Sequence, residues 1–147
     1  MSVMLRALFA AVLLLPLAGA PAVAAETHRL ALQVSDNDAV KMNAVLNVAA
    51  NVSTYYSAKG EEVEIQIVTF NAGLHMLRDD TSPVKPRLNS FKQSMPNVSF
   101  KACVNTLEAM TRLEGKEPPL VANAERVPAG VVTLIELAEK GWTIIRP

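Results

Sequence analysis

The chain is 147 residues long, 50% apolar, with 14 basic and 14 acidic side chains, two histidines and one cysteine. Balanced charge without a basic patch excludes nucleic acid as a partner. One cysteine excludes an internal disulfide framework, and with two histidines it gives no zinc-type spacing; GxGxxG, P-loop, CxxC and CxxCH patterns are all absent.

Residues 1–25 place one basic residue, Arg6, before an uncharged apolar run from Ala7 to Leu17, and end in small residues. That is the layout of a cleavable secretory signal peptide. An uncleaved anchor is the rival reading. The run is shorter than the roughly 20 apolar residues a spanning helix needs, and Pro16 and Gly19 interrupt its end. The expected mature chain, 26–147, has the size of one domain. Its charge is nearly neutral, since Arg6 is the only charge removed, and it holds no further apolar run of spanning length. A periplasmic or secreted protein with no stable membrane anchor after cleavage is expected.

In chain order, 28–35 reads as a strand, apolar at Leu30, Leu32 and Val34. Ser35-Asp36-Asn37-Asp38 then supplies capping residues for a long helix reaching Ser57, with Gly60 past its end. Residues 62–70 alternate through Val63, Ile65 and Ile67 as a second strand. A loop over 71–83 carries one helical turn around His75, and a helix over 84–95 stops at Pro96. Residues 97–103 form a third strand. A helix over 105–115 follows, with Asn105 as cap and Glu108 at capping-box spacing. A short strand within 122–127, an amphipathic helix over 129–141 and a closing strand over 142–147 complete the pattern.

Strand–helix alternation of this kind specifies βαβ units: an α/β fold with a mainly parallel sheet and helices on both faces. Right-handed crossovers gather the loops after each strand at the carboxyl edge, where open α/β sheets hold their ligands. Cys103, Asn71 with His75, and Asp36 all fall in those loops. The first helix has Lys41 as its sole charge between Ala39 and Ala58, with Asn43, Asn47 and Asn51 stacked along one stripe. Such a helix is covered either by another subunit or by a neighbouring helix of the same domain.

Cys103, just before a helix start, lies near unpaired amides and the positive end of the helix dipole, which favour thiolate. Lys101, two residues earlier on the same strand face, offers positive charge, and His75 is a candidate base across the edge. Cysteine is also among the most buried residue types, so an inert core thiol and an interchain disulfide stay open beside a reactive one. Asp36, with Asn37 and Asp38, either caps the long helix or binds a polar ligand.

The segments LQVSDNDAVKMNAVLNVAANV, EIQIVTFNAGLHML, VSFKACVNTLEAM and VPAGVVTLIELAEKGWTIIRP together resemble the DsrE/DsrF-like family, in its exported single-domain branch. The resemblance covers nearly all of 26–147. It implies a three-layer α/β/α domain around a five-stranded parallel sheet and a homo-oligomer, trimeric or hexameric. It also implies that Cys103 accepts sulfane sulfur as a persulfide and passes it between a donor and an acceptor protein, with no cofactor. The competing expectation is an oligomeric small-ligand-binding module in which Cys103 is structural.

Overall fold

A computed structural model describes residues 27–147, so the expected signal peptide lies outside the described residues. The elements run β1 (His28–Val34), α1 (Ala39–Ala58), β2 (Val63–Thr69), a 3-10 segment (Asn71–Leu77), α2 (Lys85–Ser94), β3 (Val98–Cys103), α3 (Val104–Glu114), β4 (Ala124–Val127), α4 (Gly130–Glu139) and β5 (Thr143–Ile145). The five strands form one sheet in the order β4-β3-β2-β1-β5, and every neighbouring pair is parallel. The expected α/β fold is therefore the one adopted.

Strand order explains the layers. From β1 to β4 the chain steps in one direction, so right-handed crossovers put α1, α2 and α3 on the same face. From β4 the chain returns across the whole sheet to β5, and α4 lands on the opposite face. The period-2 alternation sorts side chains accordingly. Leu30, Leu32, Val63, Ile65, Ile67 and Phe100 pack against Met42, Val45, Leu46, Leu88, Phe91 and Leu107 in the larger core. Ala31, Val68 and Cys103 face the other way, against Leu134, Leu137 and Trp142. Arg29 and Glu64, on the α4 side near the amino edge, remain exposed.

Local chemistry sets the helix boundaries. Asp38 Oδ1 accepts the amides of Val40 (2.8 Å) and Lys41 (3.2 Å), so the acidic loop does cap α1. Past its end Gly60 takes φ +69°, the left-handed conformation that glycine adopts without a Cβ penalty. Covering of the asparagine stripe is partly internal. Arg87 of α2 donates to Asn43 Oδ1 and to Asn47 Oδ1, each at 2.8 Å, while Asn51 is exposed. Arg78 is buried behind the 3-10 segment and forks to Asp80 (2.9 and 2.8 Å) and to Glu114 (2.5 and 3.0 Å), tying that segment to the end of α3. No described helix is long and apolar enough to cross a membrane.

Candidate functional site

The site grows from a junction with no connector. Cys103 is the last residue of β3 and the N-cap of α3, which begins at Val104. This corrects the expectation that Asn105 caps the helix with Glu108. The extended backbone of Cys103 (φ −67°, ψ 117°) passes directly into the helix, leaving Asn105 inside the first turn with its amide donating to Pro128 O at 3.3 Å. The cap position is one whose side chain normally accepts the amides two and three residues on, and here that side chain is a thiol.

Strand order decides which segments reach the thiol. Flanking β3 are β2 and β4, so the residues following those strands close around Cys103. After β2, Asn71 takes φ +48° and donates its amide to Thr106 Oγ1 at 3.0 Å. After β4, α4 begins at Gly130, where a Cβ would sit 3.0 Å from Phe70 Cβ and Cδ1. A glycine there lets the first turn of α4 abut Phe70, and Gly130 lines the same cleft as Cys103. Two helix N-termini thus converge on one thiol.

Cys103 is only 4% exposed, yet it borders a cleft of about 430 Å³. Asn71, Asn105 and Thr106 supply the polar lining, while Phe70, Met110, Leu113 and Val131 supply apolar walls. Burial pushes the Cys103 thiol up. The Thr106 hydroxyl and the amides of Gly130, Thr106 and Asn105 outweigh it, and the thiol sits below its ordinary range. The thiol makes no capping hydrogen bond of its own; the surrounding donors favour the anion.

Other residues singled out from the sequence are placed elsewhere. Lys101 does lie on the strand face of Cys103, but its ammonium pairs with Glu125, its register partner on β4. The charge of Lys101 is thereby spent on that carboxylate. His75 belongs to the 3-10 segment and is not among the residues lining the cleft. Asp36 follows β1, separated from β3 by β2, and is held by Lys41 at 2.8 Å and Arg146 at 2.7 Å. Thr106 and Gly130 were not singled out from the sequence. The signal available for Gly130 was its place directly after β4, in the loop set of the carboxyl edge.

No family model matches the chain, and no curated protein does. A solved structure does: the protein of unknown function MTH1491 from Methanobacterium thermoautotrophicum, 28% identical, with a TM-score of 0.64. The match covers 82% of this chain and 99% of that one. The likeness extends across the described domain and names no activity.

Chemically, the lining holds a nucleophile and anion-stabilising donors, with no histidine or carboxylate beside them. Among the described residues no cluster of metal-ligating side chains occurs. A larger groove of about 990 Å³ lies at the amino edge, lined by Arg29, Glu61, Glu62 and Glu64 with several hydroxyl side chains. It contains neither cysteine nor histidine, so the smaller cleft is the chemical candidate.

Proposed function

We propose that this protein is an exported carrier of sulfane sulfur of the DsrE/DsrF-like kind, with Cys103 as the accepting and donating thiol. The observation that carries this reading is geometric: a cysteine at a connector-free strand–helix junction borders a cleft that the first turn of α3 and the start of α4 line together. In the transfer step the Cys103 thiolate attacks the terminal sulfur of a donor persulfide. A new S–S bond forms at Cys103, the donor S–S bond breaks, and the donor thiolate leaves with the electron pair of the broken bond. Sulfur is passed on by the reverse step with an acceptor thiolate, and no external oxidant or reductant enters. A leaving thiolate needs no general acid, which suits a lining without histidine. The persulfide formed is anionic, and the donors around Cys103 stabilise it.

Export rests on residues 1–25, and a periplasmic or secreted location follows from that part of the proposal. Homo-oligomerisation, as a trimer or hexamer, is supported by exposed Val131, Val132 and Ile135 on α4, at 52%, 51% and 53%. Donor and acceptor proteins are the remaining partners.

The test is intact mass of the reduced protein after brief exposure to limiting polysulfide at neutral pH. Folded wild type is expected to gain sulfur faster than the denatured chain, and Cys103→Ser to gain none. Equal rates for folded and denatured protein, or unchanged loading in Cys103→Ser, defeat the proposal. The 4% exposure of Cys103 favours one alternative, a small-ligand-binding module with a structural thiol. Under it, Cys103→Ala leaves binding in the cleft intact.

A further inference from the structure

Helix α4 is apolar on both sides. Leu134 and Leu137 turn inward onto Ala31, Val68 and Trp142, while Val131, Val132 and Ile135 stay half exposed. A helix that is apolar all round belongs in an interior, yet strand order leaves α4 alone on its face of the sheet. Its charges are also arranged against its own dipole. The positive N-terminal end is capped by Ala129 without a side-chain hydrogen bond, and its first turn holds no acidic residue. The negative C-terminal end carries Glu136 and Glu139, with no basic residue in the last turn. Both carboxylates are exposed, and among the described residues neither they nor the adjacent Lys140 make an ion pair. One occupant answers both features. Val131, Ile135 and Glu139 are four residues apart and share one outward stripe, with Val132 beside them. A second copy of α4 laid antiparallel on that stripe, with a two-fold axis at Ile135, sets each Glu139 against the acid-free first turn of the other helix. The same placement buries Ile135 on Ile135 and Val132 on Ala138.

We infer that the outer face of α4 is an isologous, two-fold interface between copies of this chain, centred on Ile135. This contact sharpens the homo-oligomer reading above, on which it rests, and is independent of sulfur transfer. A closed trimer contains no two-fold axis, whereas a hexamer of two trimers does, so the contact selects the hexamer. It also reaches the cleft. Val131 is both a wall of the cleft and part of the stripe, so Ala138 and Glu139 of the second copy come to rest at the mouth. One copy alone leaves that wall open.

The chain has a single cysteine, so in Cys103→Ser any cysteine added is the only one present. In that background Ile135→Cys is expected to form a disulfide-linked dimer on mild oxidation, because a residue on the axis faces its own copy. Val131→Cys alone and Glu139→Cys alone are expected to stay unlinked, since each would stand about 12 Å along the helix from its own copy. Combined in one chain, those two are expected to link. Light scattering is expected to give a hexamer for wild type and a trimer of half the mass for Ile135→Glu, with Trp142 fluorescence unchanged as the check on folding. A wild-type trimer or monomer overturns the inference. So does an Ile135→Glu variant that stays hexameric, linkage of Val131→Cys alone, or no linkage of Ile135→Cys. If Ile135→Glu does not fold, the cross-link pattern decides by itself. A wild-type trimer removes the two-fold contact and leaves the homo-oligomer standing; a monomer removes both.

Discussion

Gly73→Ala is expected to be among the most destabilising single-methyl additions in this chain. A Cβ at Gly73 would lie 2.3 Å from Val34 O, 2.5 Å from Val34 C and 2.7 Å from Ser35 N. All three atoms are backbone at the end of β1, so no side chain can swing aside. Relief requires the 3-10 segment or the β1 end to move by about 1 Å, an overpacking cost of roughly 1–3 kcal/mol. That movement also threatens the hydrogen bond from Phe70 N–H to Val34 O, 3.1 Å long, worth about 1 kcal/mol more. A total of about 2–4 kcal/mol lowers a urea midpoint by roughly 1–2 M at a slope of about 2 kcal/mol/M. Gly60→Ala is the control. Nothing lies within 4 Å of its Cβ, and only the strain of φ +69°, about 1–2 kcal/mol, is added. Urea unfolding followed by Trp142 fluorescence compares the two variants. A Gly73→Ala midpoint no lower than that of Gly60→Ala would refute the steric reasoning.

Two further outcomes are expected. Asp80 and Glu114 are held below the usual carboxylate range, in each case chiefly by hydrogen bonds from Arg78. Their contribution is fully present above the unfolded carboxylate range near pH 4 and is lost as pH falls through the lowered folded values. Arg78→Met should flatten that acid limb in pH-dependent unfolding; an unchanged limb would remove the pair from the account. Lys101→Gln should leave the Cys103 thiolate midpoint within about 0.3 unit of wild type, because its ammonium serves Glu125. A rise of about one unit would return Lys101 to the site.

The sheet was legible because its strands carry their own period. Val63, Ile65 and Ile67 alternate cleanly, and the predicted strand over 62–70 closely matches β2 at Val63–Thr69. Helix α1 was legible from Asp38 and Gly60, whose capping roles depend on neighbours in sequence. What stayed hidden is lateral. Alternation of strands and helices does not state that β3 lies between β2 and β4, yet that order brings Phe70, Asn71 and Gly130 to Cys103 and leaves Asp36 aside. Asn105 misled because asparagine is a strong capping residue. A strand that enters a helix without a connector hands that role to its own last residue. The burial of Arg78 was equally unreadable: Asp80 is two residues on, but the second partner, Glu114, lies 36 residues away.

Direct passage from β3 into α3 has a consequence for how this chain can change in length. One residue inserted between Cys103 and Val104 would rotate α3 by about 100° relative to the strand. Leu107, which is 1% exposed, would then leave the core, and Thr106 would leave the cleft that it lines with Cys103. A residue added at the exposed Gly115–Lys116 turn meets no such constraint. Descendants of this sequence can therefore substitute around the thiol but not add beside it, and the spacing from Cys103 to Leu107 is inherited as a fixed count.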